Sequence, residues 1–210
     1  MVVGLEEHLR RFVKRVEPYI LPNDKYMYKF ERLGRENFPK ILDYLREYAM
    51  VVCNGKEYFV RGGLLHVEDS KYVDKCASEG KRVFMKVHTH PGGTTLHSLG
   101  DYYTLMRELK EGTLPQYSCV CRRTYSDEFK CMCLDLRNIT HEKLEELTEY
   151  SIEEYRNYLA LMPGIDYIET EIGDTPVTID TNEGAEFIEE RFKEDVKKTG
   201  VRLLEFRIEV

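Results

Sequence analysis

Two histidines and an aspartate form the densest group of chemically useful residues in the chain. His88 and His90 stand two apart, behind the largely apolar run Arg82-Val83-Phe84-Met85-Lys86-Val87. On a strand, residues i and i+2 share a face, so both imidazoles project together from its C-terminal end. Pro91, Gly92 and Gly93 end the strand and open a loop. The chain then returns as a helix, with Leu99, Tyr102, Tyr103, Met106 and Leu109 at helical spacing and Asp101 in the first turn. Two imidazoles and a carboxylate from a second element make a three-ligand set. A catalytic zinc site needs such a set, with a further position left for water.

The same residues carry a resemblance. His88-x-His90-Pro91, followed by Ser98-x-x-Asp101, resembles the signature of the JAMM (MPN+) zinc metallopeptidases. The spacing sits in a strand–loop–helix context, which makes it more specific than a lone His-x-His pair. A plainer reading stands beside it: Ser98 and Asp101 also suit an ordinary helix N-cap, with the hydroxyl on an orphan amide and the acid in the first turn.

The resemblance implies hydrolysis of peptide or isopeptide bonds at the Gly-Gly tail of ubiquitin-like or sulfur-carrier proteins. It implies one catalytic Zn2+ on His88, His90 and Asp101. It makes Glu47, at the start of the strand after the first family helix, the general acid/base. Glu57 competes for that role but sits beyond a hairpin turn. Ser98 becomes a donor to the oxyanion. Thr89 and Gly92 read as scaffold, and His66 and His97 as surface or core histidines. Two alternatives remain open: a non-catalytic MPN scaffold that binds partners, and a metal-dependent hydrolase of a small molecule. The short intervals around the motif resemble prokaryotic members more than the larger eukaryotic ones.

These residues need a framework. Leu5, Leu9, Phe12, Val13 and Val16 predict an amphipathic helix, closed by Pro18 and the Pro22-Asn23-Asp24 turn. Tyr26 to Leu33 reads as a strand. Phe38, Ile41, Leu42 and Leu45 form a helical stripe. Asn54-Gly55 between two apolar runs predicts a hairpin whose first strand starts near Glu47. A third strand over 63–67 and a helix over 70–78 precede the histidine strand. A second hairpin spans 117–123 and 129–136. Beyond Asn138 the pattern is a helix over 141–161, strands over 165–172 and 176–179, a helix from Asn182 ended by Gly200, and a strand over 201–210.

The fold class expected is α/β (α+β type), an MPN-like mixed sheet flanked by helices with a C-terminal α+β extension. The expected organisation is an N-terminal helical extension over 1–25, a catalytic domain over 26–138, and an extension over 139–210 in which no motif carries chemistry. That extension reads either as an accessory subdomain or as extra strands on the main sheet.

Composition narrows the class further. The chain has 210 residues and is 42% hydrophobic, enough for a substantial core. A net charge of -7 disfavours nonspecific nucleic-acid binding. No run approaches the roughly 18 apolar residues of a membrane span, and the N-terminus lacks a secretory signal's apolar core. A cytoplasmic protein with six reduced cysteines is therefore expected. Cys119, Cys121, Cys131 and Cys133 share one hairpin face if 119 opposes 133 and 121 opposes 131. Buried thiols are the leading reading there, ahead of a four-thiolate metal site and a cross-strand disulfide. Cys53 and Cys76 have no evident partner.

Overall fold

A computed structural model describes residues 3–26, 28, 42–64, 66–161, 167–172 and 175–210. Its centre is a six-stranded mixed sheet. The strands are β1 (Arg46–Cys53), β2 (Lys56–Leu64), β3 (Val83–Thr89), β4 (Tyr117–Tyr125), β5 (Glu128–Asp135) and β8 (Leu203–Glu209). Their order is β2-β1-β3-β4-β5-β8. Only β3 and β4 run parallel. A parallel pair needs a crossover, and here it is a helix, Leu99–Glu111. β6 (Tyr167–Ile172) and β7 (Thr175–Asp180) form a separate two-stranded ribbon. The helices are α1 (Val3–Val16), α2 (Ser70–Ser78), α3 (Leu99–Glu111), α4 (His141–Leu161) and α5 (Asn182–Thr199). The mixed α/β class expected from the sequence is the one observed.

Local rules explain most boundaries. The Asn54-Gly55 turn takes φ of 49° and 75°, the left-handed pair that a tight hairpin demands. α3 and α5 end at Gly112 and Gly200, both left-handed. The apolar stripe of α1 (Leu5, Leu9, Phe12, Val13, Val16) is wholly buried on one sheet face, against Met50, Val52, Met85 and Val87. On the other face, α3, α4 and α5 bury Tyr102, Leu105, Leu144, Leu147, Ile188, Phe192 and Val196 over Met132 and Leu134. α2 covers Val51, Cys53 and Val83. Both segments outside the motif region join this architecture: α1 closes one face, and β8 pairs with β5 along its length.

Several expectations are corrected. Residues 23–26 form a helical turn, so Tyr26 does not begin a strand; positions 27 and 29–33 lie outside the described residues. Of the helical stripe through Phe38 and Ile41, only the 3-10 turn Leu42–Leu45 is described. The strand expected over 63–67 is instead the end of β2, which reaches Leu64. On α3, Leu99 and Tyr103 are exposed, and the buried stripe is Tyr102, Leu105 and Glu108. The helical period holds, and the face turned to the sheet is set by the neighbours.

The six cysteines are not free thiols. They form Cys53–Cys76, Cys119–Cys133 and Cys121–Cys131 disulfides, and no free cysteine remains. The hairpin register is the one anticipated, with 119 opposite 133 and 121 opposite 131. Directly opposed side chains on one pleat are close enough to bond to each other, which leaves no four-thiolate metal site. Cys53 and Cys76 meet because α2 packs on β1. The thiol-based argument for a cytoplasmic protein thereby loses its basis, since disulfides suit oxidising surroundings. Among the described residues, no helix is long and apolar enough to cross a membrane.

Candidate metal centre

β3 lies between β1 and β4, in the middle of the sheet. Met85 and Val87 point toward α1, so Lys86 and His88 point to the opposite face. The His90 amide donates to the Cys121 carbonyl at 2.9 Å, carrying the ladder one residue past the strand. His90 therefore stays in phase with His88, and their Nε2 atoms are 3.0 Å apart. Gly92 then turns the chain at φ 69°, a conformation that favours glycine.

α3 brings in the third group. Ser98 is its N-cap: its Oγ accepts from the Asp101 amide at 3.2 Å, while its own amide donates to Asp101 Oδ2 at 2.6 Å. This reciprocal capping box holds the carboxylate in the first turn. Asp101 Oδ2 lies 3.4 Å from His88 Nε2 and 3.6 Å from His90 Nε2. The cap and the ligand set are thus compatible readings of the same residues.

The triangle of candidate ligand atoms has edges of 3.0, 3.4 and 3.6 Å. A tetrahedral zinc with ligands at about 2.0–2.1 Å separates them by about 3.3–3.4 Å. The spacing and the donor set fit such an ion. His88, His90 and Asp101 could hold a metal, and they are the one such cluster of three or more among the described residues.

The outer contacts support ligation. His90 Nδ1 is 3.1 Å from the Thr94 carbonyl, which can only accept. Nδ1 therefore carries a proton, which leaves Nε2 as the nitrogen turned to the site. Without metal the cluster is an ion pair. Burial works against a charged His88, but Asp101 and Glu47 outweigh it and raise its pKa to about 9. Burial likewise opposes ionisation of Asp101, yet the two histidines hold it well below the usual carboxylate range.

Glu47 comes from β1. Ala49 pairs with His88, so Glu47, two residues earlier, shares that face beside the end of β3. Burial raises its pKa, opposed by His90 and His88. The β1–β2 ladder slips at this point, from Arg46↔Leu64 to Tyr48↔Arg61. The extra residue lies at Gly62-Gly63, where a Cβ on Gly62 would meet the Glu47 carbonyl at 2.9 Å. Bulges of this kind re-aim a side chain next to a site. Glycine inside a strand is the sequence signal for such a bulge.

The other residues sort cleanly. Glu57 lies away from the cluster, bound to His8 at 2.6 Å and Arg11 at 3.1 Å. Thr89 Oγ1 accepts from the Tyr48 amide at 3.0 Å, as scaffold. His97 is a core histidine: burial depresses its pKa to about 3, and its Nε2 meets Ser118 Oγ at 2.9 Å. His66 is exposed and sits on the Leu64 carbonyl. The loop after His90 has holders that were not anticipated. Asn23 Nδ2 donates to the Gly93 carbonyl at 2.9 Å, and the Asp180 amide to the Gly92 carbonyl at 2.9 Å.

No protein-family model matches this chain, and no curated protein matches it. Neither comparison points to a family, so the chemistry of the site rests on its own residues.

Proposed function

We propose that this protein is a zinc metallopeptidase of the JAMM type. Its substrates would be peptide or isopeptide bonds at the Gly-Gly tail of ubiquitin-like or sulfur-carrier proteins. The observation that carries the reading is the His88–His90–Asp101 triangle, with edges of 3.0–3.6 Å, facing Glu47 across the end of β3. The substrate class follows from the likeness of the His-x-His-Pro and Ser-x-x-Asp spacing to that family. A Gly-Gly tail suits such a centre because glycine lets backbone approach closely.

A zinc ion on His88, His90 and Asp101 would supply Lewis acidity toward a carbonyl and would lower the pKa of water from about 15.7 to about 7. The chain's own residues do the rest. Glu47, its pKa raised by burial, takes a proton from attacking water and returns it to the leaving amine. Ser98 Oγ accepts from the Asp101 amide and keeps its hydroxyl proton for the developing oxyanion. The Thr94 carbonyl holds His90 in the ligating tautomer. No covalent intermediate is required.

The test is incubation of zinc-reconstituted protein with Gly-Gly-tailed fusions, read by intact mass, beside chelated and E47Q controls. Cleavage directly after the Gly-Gly, lost in both controls, is the expected result. Uncut fusions with one equivalent of zinc bound would remove the peptidase reading and leave the metal site standing.

A further inference from the structure

A fully buried ionic cluster sits behind the metal loop. Glu189 on α5, Arg122 on β4 and Lys130 on β5 all have side chains at 0% exposure. Arg122 and Lys130 are cross-strand partners on the site face of the sheet. Glu189 Oε1 accepts from Arg122 Nε at 2.6 Å, and Oε2 lies 2.8 Å from Lys130 Nζ. Replacing such a cluster with apolar residues is often neutral or stabilising, so its presence is not explained by stability.

One further contact distinguishes it. Glu189 Oε1 also accepts from the Thr95 amide at 2.8 Å. The other end of that same peptide group is the Thr94 carbonyl, which accepts from His90 Nδ1 at 3.1 Å. One peptide unit therefore has its N–H on a buried carboxylate and its C=O on a candidate metal ligand. Despite burial, Arg122 and Lys130 hold the Glu189 pKa at about 2, so the N–H bond is charge-assisted. Polarising the N–H strengthens the carbonyl of the same amide as an acceptor.

We infer that Glu189 is a positioning residue for the metal centre: through the Thr94–Thr95 peptide it fixes the tautomer and orientation of His90. The inference rests on the metal-site reading above and extends it into the C-terminal segment, where the sequence shows no motif. Arg122 and Lys130 set the place and charge of Glu189. The peptide passes that order to the imidazole.

The test reads His90 directly. Nitrogen-15 spectra of metal-free protein in mildly alkaline buffer report which ring nitrogen holds the proton. Wild type should show Nδ1–H. E189Q should shift population toward Nε2–H and weaken zinc affinity, measured by chelator competition, by about tenfold or more. E189D keeps the charge beside Arg122 and Lys130 but withdraws it from Thr95. It should behave like E189Q and replaces it should E189Q fail to fold. F192L, which loosens the same helix without touching the peptide, should lower Tm and leave tautomer and affinity unchanged. A wild-type His90 protonated on Nε2 overturns the inference without any variant. So does an unchanged tautomer with affinity within about twofold in E189Q and E189D. Wild type that takes up no zinc, yet shows the tautomer shift in E189Q, removes the metal reading and keeps the positioning role.

Discussion

The sheet face under α1 and the face under α3 and α5 belong to the same six strands, yet they bury opposite chemistry. Under α1 lie Leu5, Leu9, Phe12, Val13, Met50, Val87 and two cross-strand disulfides. Under the opposite helices lie Lys86, His88, His97, Glu108, Arg122, Lys130 and Glu189 among the apolar side chains. Alternation along each strand makes this division, because neighbouring residues point to opposite faces. His88 and Val87 are adjacent in the chain and belong to different environments. The apolar face supplies burial, which needs no exact partner. The polar face must pair every buried charge, and each pairing fixes a geometry. A metal centre needs fixed geometry, and the residues that could hold one stand on that face.

Single substitutions on each face test this division. The largest effect is expected from H88A, which removes a ligand: bound zinc should fall from about one per chain to near none. Elemental analysis after reconstitution checks this, and full zinc occupancy would dismiss the ligand set. E47Q should keep zinc and lose about 10²–10⁴-fold in turnover, read against the Gly-Gly fusions. Wild-type rates in E47Q would remove Glu47 as the base.

F12A on the apolar face should cost about 3–5 kcal/mol of stability in denaturant melts, with zinc affinity of the folded protein unchanged. A matching loss of affinity would mean that the two faces are not separable. The pH response should come from the polar face. His88 must lose its proton to ligate, and its metal-free pKa is raised to about 9. Apparent zinc affinity should therefore rise about tenfold per pH unit below that value and flatten above it. The metal-free fold behaves in the reverse sense. With a folded pKa above the unfolded value, His88 contributes stability that is complete below about 6.5 and lost as pH rises through about 9. An affinity that stays flat from mildly acid to neutral pH counts against His88. The smallest effect belongs to L99S: Leu99 is exposed, so the change should stay within about 0.5 kcal/mol by thermal melt.

Much of this was legible residue by residue. The Asn54-Gly55 turn, the α1 stripe, the spans of α4 and α5 and the 119/133 and 121/131 register follow from local periodicity and turn chemistry. Tyr103 and Leu99 on α3 show the limit of that reasoning. Spacing says which residues share a face; what covers that face is a separate matter. Cys53 and Cys76 show it again, since only the docking of α2 on β1 brings them together.

The amino-acid sequence determined the histidine pair on β3, the capped aspartate on α3 and the strands and helices that hold them, because each depends on neighbours a few residues away. Tertiary structure decided that Glu47 lies beside His88 and His90 while Glu57 binds α1, and that Glu189 reaches the loop after His90 from a segment in which no motif carries chemistry. The reason is physical. Backbone geometry and side-chain period act over a turn or a pleat, whereas the choice of a distant partner is made by packing and by the need of every buried charge to find its opposite.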